Sequence, residues 1–382
     1  MGKIRVLVVD DAVVVRRLVA EALSVDPDIE VVGTAANGKI GLAKVTQVNP
    51  DIITLDVEMP EMNGLQMLAE IRKTHPKLPI IMFSTLTERG AMTTLDALAA
   101  GASDYVTKPA NVGSINAGLQ RVRDELIPKI KALCGRNHSP PASQPTSVRR
   151  PAGVATALSA ADVRFPFAIQ RPIEVLAIGV STGGPNALAE LIPILPATFP
   201  VPVVIVQHMP PIFTRLLAER LNAKSALRVR EAAPEEPLKQ GDVWIAPGDF
   251  HMAVRKQASG TCLNLTQAPP ENSCRPAVDV LFRAVAQTYG GGVLAVVLTG
   301  MGQDGLRGCE AIKEAGGNVI VQDEASSVVW GMPGFVARAG LADAILPLSE
   351  IGPEIIRRFR LRGSRISLSG THAFGTLSGG LK

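Results

Sequence analysis

The feature that most constrains this chain is an alternation, sustained along two long stretches, between short apolar runs and segments whose apolar residues recur at helical spacing. That is the pattern of βα units laid on a parallel sheet. In the first stretch, residues 1 to about 133, it predicts strands at Ile4–Val9, Glu30–Ala35, Ile52–Leu55, Ile80–Phe83 and Asp104–Val106, separated by helical segments such as Val13–Leu23 and Leu65–Thr74. In the second, from Val175 to about Phe359, strands are predicted at Val175–Ile178, Val203–Val206, Val243–Ala246, Val293–Leu298, Asn318–Val321 and Ala344–Leu346. Met252–Arg255 and Cys262–Thr266, joined through Ser259 and Gly260, depart from the alternation and predict an antiparallel hairpin. Pro140, Pro141, Pro145 and Pro151 break any regular element between the stretches. The expected organisation is an α/β unit at 1–125, a helix end and flexible Pro/Ala/Ser-rich linker at 126–170, a second doubly wound, mostly parallel α/β unit at 171–362, and a Gly- and Ser-rich disordered tail at 363–382.

Composition narrows the function. With 382 residues the chain is longer than one hydrophobic core usually serves. Apolar residues make up 46% and charged ones 19%, as in a soluble globular protein, while 4% aromatics leave few side chains for stacking on bases. The net charge is only +4, and its most visible basic cluster, Arg149–Arg150, falls in the linker, so nucleic acid is not an expected partner. Cys134, Cys262, Cys274 and Cys309 show no C-x-x-C spacing, which argues against a disulfide scaffold or a zinc site and fits a reducing compartment. The N-terminal apolar run is stopped by Asp10–Asp11, too early for a signal peptide, and no run approaches the roughly 20 residues of a membrane helix. A cytoplasmic location without membrane insertion is expected.

In open parallel sheets chemistry gathers beyond the carboxyl ends of the strands. The first unit places Asp10 and Asp11 after its first strand and Asp56 after its third, an oxygen-rich set suited to Mg²⁺. Ser84 ends the fourth strand and Lys108 follows the fifth, supplying the hydroxyl and the cation that a phosphoryl group on Asp56 would need. With Met59–Pro60 and Gly64 after the third strand, this pattern resembles the response-regulator receiver family over residues 4 to about 125. The resemblance implies a flavodoxin-like (βα)5 fold and makes Asp56 the phosphoacceptor. It further implies that Asp10, Asp11, Asp56 and the backbone carbonyl of Glu58 hold Mg²⁺, and that Ser84, Lys108 and Tyr105 are switch residues.

The second unit opens with Gly179-Val180-Ser181-Thr182-Gly183, a G-x-S-x-G match at a strand-to-helix turn that would expose the Ser181 hydroxyl beside helix N-terminal N–H groups. Taken alone, it is equally a Gly-rich loop whose serine caps a helix. Of five histidines, His75, His138 and His372 are poorly placed. His208 lies just past a strand on the edge of Ser181, whereas His251 precedes the hairpin with no strand end to aim it, so His208 is the better base. Asp304, after Val293–Leu298, is placed to orient the imidazole.

The blocks Ser181–Gly184, Val206–Met209 and Thr299–Gly305, with a receiver and linker in that order, resemble the chemotaxis response-regulator methylesterases, the CheB family, up to about residue 360. That resemblance implies a protein-glutamate methylesterase of the Ser-His-Asp type acting on methylated chemoreceptors, with protein-glutamine glutaminase activity as a secondary expectation. It also implies a CheA-type histidine kinase as phosphodonor, a Met301 backbone N–H in the oxyanion hole and Thr182 lining the site. Mg²⁺ would serve the receiver, and ester hydrolysis would need no cofactor. Two other readings stand beside it. Gly300-x-Gly302-x-x-Gly305 followed by Asp323 also fits a dinucleotide fingerprint, but Asp304 would lie against a pyrophosphate and Ser181 and His208 would go unexplained. A non-catalytic receiver-linked adaptor would make Ser181 and His208 structural.

Overall fold

The computed structural model describes residues 2–108, 115–135 and 171–366. The first domain runs β1 (Ile4–Val9), α1 (Val13–Ser24), β2 (Ile29–Ala35), α2 (Gly38–Val48), β3 (Ile52–Asp56), α3 (Gly64–Thr74), β4 (Ile80–Ser84), α4 (Glu88–Ala99), β5 (Asp104–Thr107) and α5 (Ile115–Leu133). Its sheet is parallel in the order β2-β1-β3-β4-β5, the flavodoxin-like arrangement. The period-two pattern of β1 is what sandwiches it between helices. Ile4, Val6 and Val8 face α1 and α5, while Leu7 and Val9 face the side carrying α2, α3 and α4.

The second domain runs β6 (Val175–Val180), α6 (Gly184–Leu191), β7 (Val203–Gln207), α7 (Phe213–Asn222), β8 (Arg228–Glu231), β9 (Asp242–Ile245), β10 (His251–Gln257) and β11 (Gly260–Thr266). It continues with α8 (Val278–Tyr289), β12 (Val293–Val297), α9 (Leu306–Glu314), β13 (Asn318–Gln322), α10 (Met332–Arg338), β14 (Ala344–Leu346) and α11 (Leu348–Ile366). Seven parallel strands follow the order β14-β13-β12-β6-β7-β9-β8, and β10 and β11 form a separate antiparallel hairpin. The chain leaves β6 toward β7 and later returns to β12 on the other side, so the crevice at the carboxyl end of β6 is the topological switch point.

Three differences from the sequence expectation have physical causes. Strand β8 escapes the apolar pattern because it is an edge strand, Arg-Val-Arg-Glu, in which only Val229 is buried; Arg228 and Arg230 reach Asp242, and Arg230 lies over the Trp244 ring. The hairpin is longer than its apolar residues, since Arg255–Gln257 pair through the backbone while their side chains are exposed. Helix α11 runs to Ile366, past Gly363, where the tail was expected to begin; residues 367–382 and the linker at 136–170 lie outside the described residues.

The two domains touch. Helix α4 lies against α6 and α7, and the apolar cluster on that side of the receiver sheet continues into the one beneath β6, β7 and β12. Tyr105 of β5 stacks on Phe213 of α7, with ring centroids 4.7 Å apart and planes at 7°. Arg215–Glu88 and Arg220–Asp96 pair at 2.7 Å across the exposed rim. Rim pairs of this kind contribute about 0–1 kcal/mol each, so the buried aromatic contact matters more.

Candidate active site

Register assembles the crevice of the second domain. Val180 of β6 pairs with Gln207 of β7, so the next residues, Ser181 and His208, emerge side by side; Gly179 pairs with Val297 of β12, whose loop carries Asp304. Backbone bonds extend these ladders beyond the strands: His208 N–H donates to the Val180 carbonyl (3.2 Å), and Ser181 N–H to the Thr299 carbonyl (3.0 Å). Gly300 is required by this crowding, because a Cβ there would lie 2.8 Å from that of Ser181.

Asp304 is buried, and its charge is held by a converging set of donors. The N–H groups of Val278 (2.6 Å) and Asp279 (3.0 Å) at the start of α8, the Gly305 N–H (3.0 Å) and Asn272 Nδ2 (2.9 Å) all donate to it. His208 Nε2 lies 2.8 Å from Asp304 Oδ2. Burial alone would raise the Asp304 carboxyl, but His208 and the backbone donors outweigh it and hold the pKa below its usual value. Burial favours neutral His208, yet Asp304 and Cys274 reverse that and raise its pKa. An oriented base joined to a buried carboxylate can take a proton from a neighbouring hydroxyl.

Ser181 is half-buried at the turn between β6 and α6, and its Oγ makes no hydrogen bond among the described residues. The N–H groups of Thr182 and Met301 likewise carry no hydrogen bond among the described residues. The Thr182 side chain does not face the crevice: its hydroxyl donates to Asp104 Oδ2 of the receiver at 2.8 Å. His251 opens β10 rather than preceding the hairpin, and both ring nitrogens are engaged, with the Pro269 carbonyl (3.1 Å) and the Ala277 N–H (3.2 Å), so it is a satisfied core histidine. His138 and His372 lie outside the described residues. Asn272 and Asp279 went unread because they act through the loop and helix start that cradle Asp304, and neither carries a motif. Cys274, set aside for want of a paired cysteine, has its Sγ 3.7 Å from His208 Nδ1.

In the receiver, Asp10, Asp11 and Asp56 bring one carboxylate oxygen each within 4.8 Å of the others. Lys108 Nζ bridges Asp10 (2.9 Å) and Asp56 (2.7 Å), and the Oδ2 atoms of both carboxylates are buried with no other partner among the described residues. An all-oxygen set with orphaned lone pairs fits Mg²⁺. Glu58 N–H points at Asp56 Oδ1 (3.4 Å), and its side chain turns away to Arg89. Gly64 passes so near the Asp56 carbonyl that a Cβ would lie 2.1 Å from it. Ser84 Oγ is buried and donates to the Gly90 carbonyl (3.1 Å) in the first turn of α4, not toward Asp56. Burial pushes the Tyr105 phenol well up.

Residues 176–355 match the CheB methylesterase family and residues 6–120 the response regulator receiver domain. A protein-glutamate methylesterase/protein-glutamine glutaminase of Trichodesmium erythraeum is 54% identical over 362 residues, covering 94% of this chain and 99% of that one. The chain belongs to the CheB methylesterase family. A relative of the same name from a Nocardioides species is 56% identical over 361 residues, covering 94% of this chain and 96% of that one. The crystal structure of the Thermotoga maritima CheB methylesterase catalytic domain shares 44% identity, covering 49% of this chain and 99% of that one, with a TM-score of 0.48.

Burial, with a further push from the Asp10 charge, outweighs Lys108 and raises the Asp56 carboxyl to about 6. A metal needs the ionised form, so Mg²⁺ binding should strengthen as pH rises through that value. Calorimetric titration should show the Mg²⁺ affinity falling about tenfold from pH 7 to pH 5, with most of that dependence gone in Asp56→Asn. A flat profile in the unsubstituted protein would contradict the assignment.

Proposed function

We propose that this chain is a phosphorylation-controlled, serine-type protein-glutamate methylesterase that hydrolyses glutamate methyl esters on chemoreceptors, with glutamine deamidation as a second activity of the same site. The observation that carries the reading is the half-buried His208 held at 2.8 Å by the buried Asp304, set at the strand end adjoining Ser181. The names of the relatives supply the substrate class.

In this mechanism Asp304 occupies Nε2 of His208, and Nδ1, which the Cys274 thiol faces at 3.7 Å, takes the Ser181 proton. Ser181 Oγ attacks the glutamyl ester carbonyl, and the N–H groups of Thr182 and Met301 receive the developing oxyanion. The imidazolium returns the proton to departing methoxide, and methanol leaves an acyl-enzyme. His208 then deprotonates water, whose attack releases glutamate and Ser181. Because His208 does the acid–base work, no metal takes part. With glutamine, ammonia leaves instead of methanol. Closing the Ser181–His208 hydrogen bond on substrate binding is ordinary for such sites.

The receiver supplies control. Mg²⁺ held by Asp10, Asp11 and Asp56 would neutralise charge during phosphorylation of Asp56 by a CheA-type histidine kinase. A phosphoryl group there recruits Lys108 and the Ser84 hydroxyl. Ser84 now bonds to the first turn of α4, the helix that meets α6 and α7, so turning it disturbs the docked face. The Thr182–Asp104 bond ties that face to the residue after the nucleophile. Among the described residues no helix is long and apolar enough to cross a membrane.

Ser181→Ala should fold normally by circular dichroism and lose roughly four to six orders of magnitude in methanol release from a methylated receptor preparation; turnover near that of the unsubstituted enzyme would remove Ser181 from the mechanism. On the same preparation, a chain beginning near residue 160 should outpace the unphosphorylated full-length enzyme, because the docked receiver is gone. A shortened chain no faster than the unphosphorylated whole would reject inhibition by docking.

A further inference from the structure

We propose that Gln207 is a positioning residue for ester hydrolysis, holding the Ser181–Thr182 peptide so that the Thr182 N–H faces the developing oxyanion; this rests on the mechanism proposed above. Gln207 ends β7, one residue before His208, and is 2% exposed. Its Nε2 donates to the Ser181 carbonyl at 3.0 Å and to the His208 carbonyl at 3.3 Å. Turning the amide over would set its oxygen against both carbonyl oxygens, so the donor end is fixed. One buried side chain thus spans the backbone of the nucleophile and of the base.

A trans peptide is planar, and its C=O and N–H point in opposite directions. Among the described residues only Arg275–Pro276 is cis, so Ser181–Thr182 is trans. Whatever grips the Ser181 carbonyl therefore aims the Thr182 N–H. Two donors grip it, Gln207 Nε2 and the Gly184 N–H (2.8 Å). Thr299 holds the chain to either side: its carbonyl accepts the Ser181 N–H (3.0 Å), and its hydroxyl donates to the Thr182 carbonyl (2.9 Å). With those three backbone groups taken, the Thr182 N–H stays without a partner among the described residues, a donor held ready for an incoming oxygen.

Core packing does not account for an amide here. Gln207 Oε1 is buried without a hydrogen bond among the described residues, and an unmet buried acceptor is destabilising. Helix α6 walls it in, because a Cβ on Gly184 would lie 2.0 Å from Oε1. The helix therefore opens on a glycine that leaves room for the amide. An apolar side chain of the same length would fill this place with no unmet oxygen. It could not donate to the Ser181 carbonyl.

The test is Gln207→Met in the full-length enzyme, followed by methanol release from a methylated receptor preparation, with Ser181→Ala alongside. Rates are counted per serine labelled to completion by a fluorophosphonate, so that a misfolded fraction does not enter. The kcat of Gln207→Met should fall roughly ten- to a hundredfold, with KM within about twofold of the unsubstituted enzyme and the unfolding midpoint close to its own. The acid limb of the pH profile, which reports His208, should not move. Should Gln207→Met fail to fold, Gln207→Asn keeps the amide but stops a methylene short of both carbonyls, and should give the same split between kcat and KM. An unchanged kcat per labelled serine, or a fall accompanied by a displaced acid limb, overturns the proposal while Ser181→Ala stays inactive. Full turnover by Ser181→Ala would instead overturn the mechanism on which the proposal rests, and the proposal with it.

Discussion

The site depends on the register of three adjacent parallel strands. Val180 faces Gln207 and Gly179 faces Val297, so β6, β7 and β12 end level and deliver Ser181, His208 and the loop to Asp304 at one edge. That register is fixed by packing on both faces. Leu176, Ile178 and Val180 of β6 lie in one apolar cluster and Val175 and Ala177 in the other, with β7 and β12 divided the same way. A slip of one residue would exchange every side chain between the two faces. The chemistry therefore inherits its precision from the core, and the extra backbone bonds of Ser181 and His208 carry that order one residue past the strands.

Asp304 shows what the edge must supply. A buried carboxylate is costly unless its oxygens are satisfied. Here the first N–H groups of α8, the Gly305 N–H and the Asn272 amide meet it, while the remaining contact goes to His208. The same edge is where the receiver arrives. Tyr105 and Asp104 of β5 reach Phe213 and Thr182, so the strand that ends beside Lys108 also touches the residue next to Ser181. The receiver meets this domain through β5 and α4.

Much of this was legible in the sequence, for a definite reason. Strands buried on both faces read as unbroken apolar runs, which exposed both sheets and placed Asp10, Asp56, Ser181 and His208 at strand ends. Strand β8 was invisible because an edge strand rich in arginine has no such run. Asn272 and Cys274 were invisible because an irregular turn, stabilised by contacts remote in sequence, decides where they point. The direction of a side chain was also beyond reach: the Thr182 hydroxyl donates to Asp104 of the receiver, and Ser84 is held by Gly90 rather than turned toward Asp56.

The central claim is that Ser181 is a nucleophile made reactive by the His208–Asp304 pair. A fluorophosphonate reacts far faster with a serine activated in this way than with an ordinary hydroxyl, so the direct measurement is mass spectrometry of the full-length protein after such treatment. The account predicts a single adduct on the peptide containing Ser181, with labelling strongly slowed in His208→Gln. An adduct on another residue, or labelling of Ser181 at the same rate without His208, would contradict it.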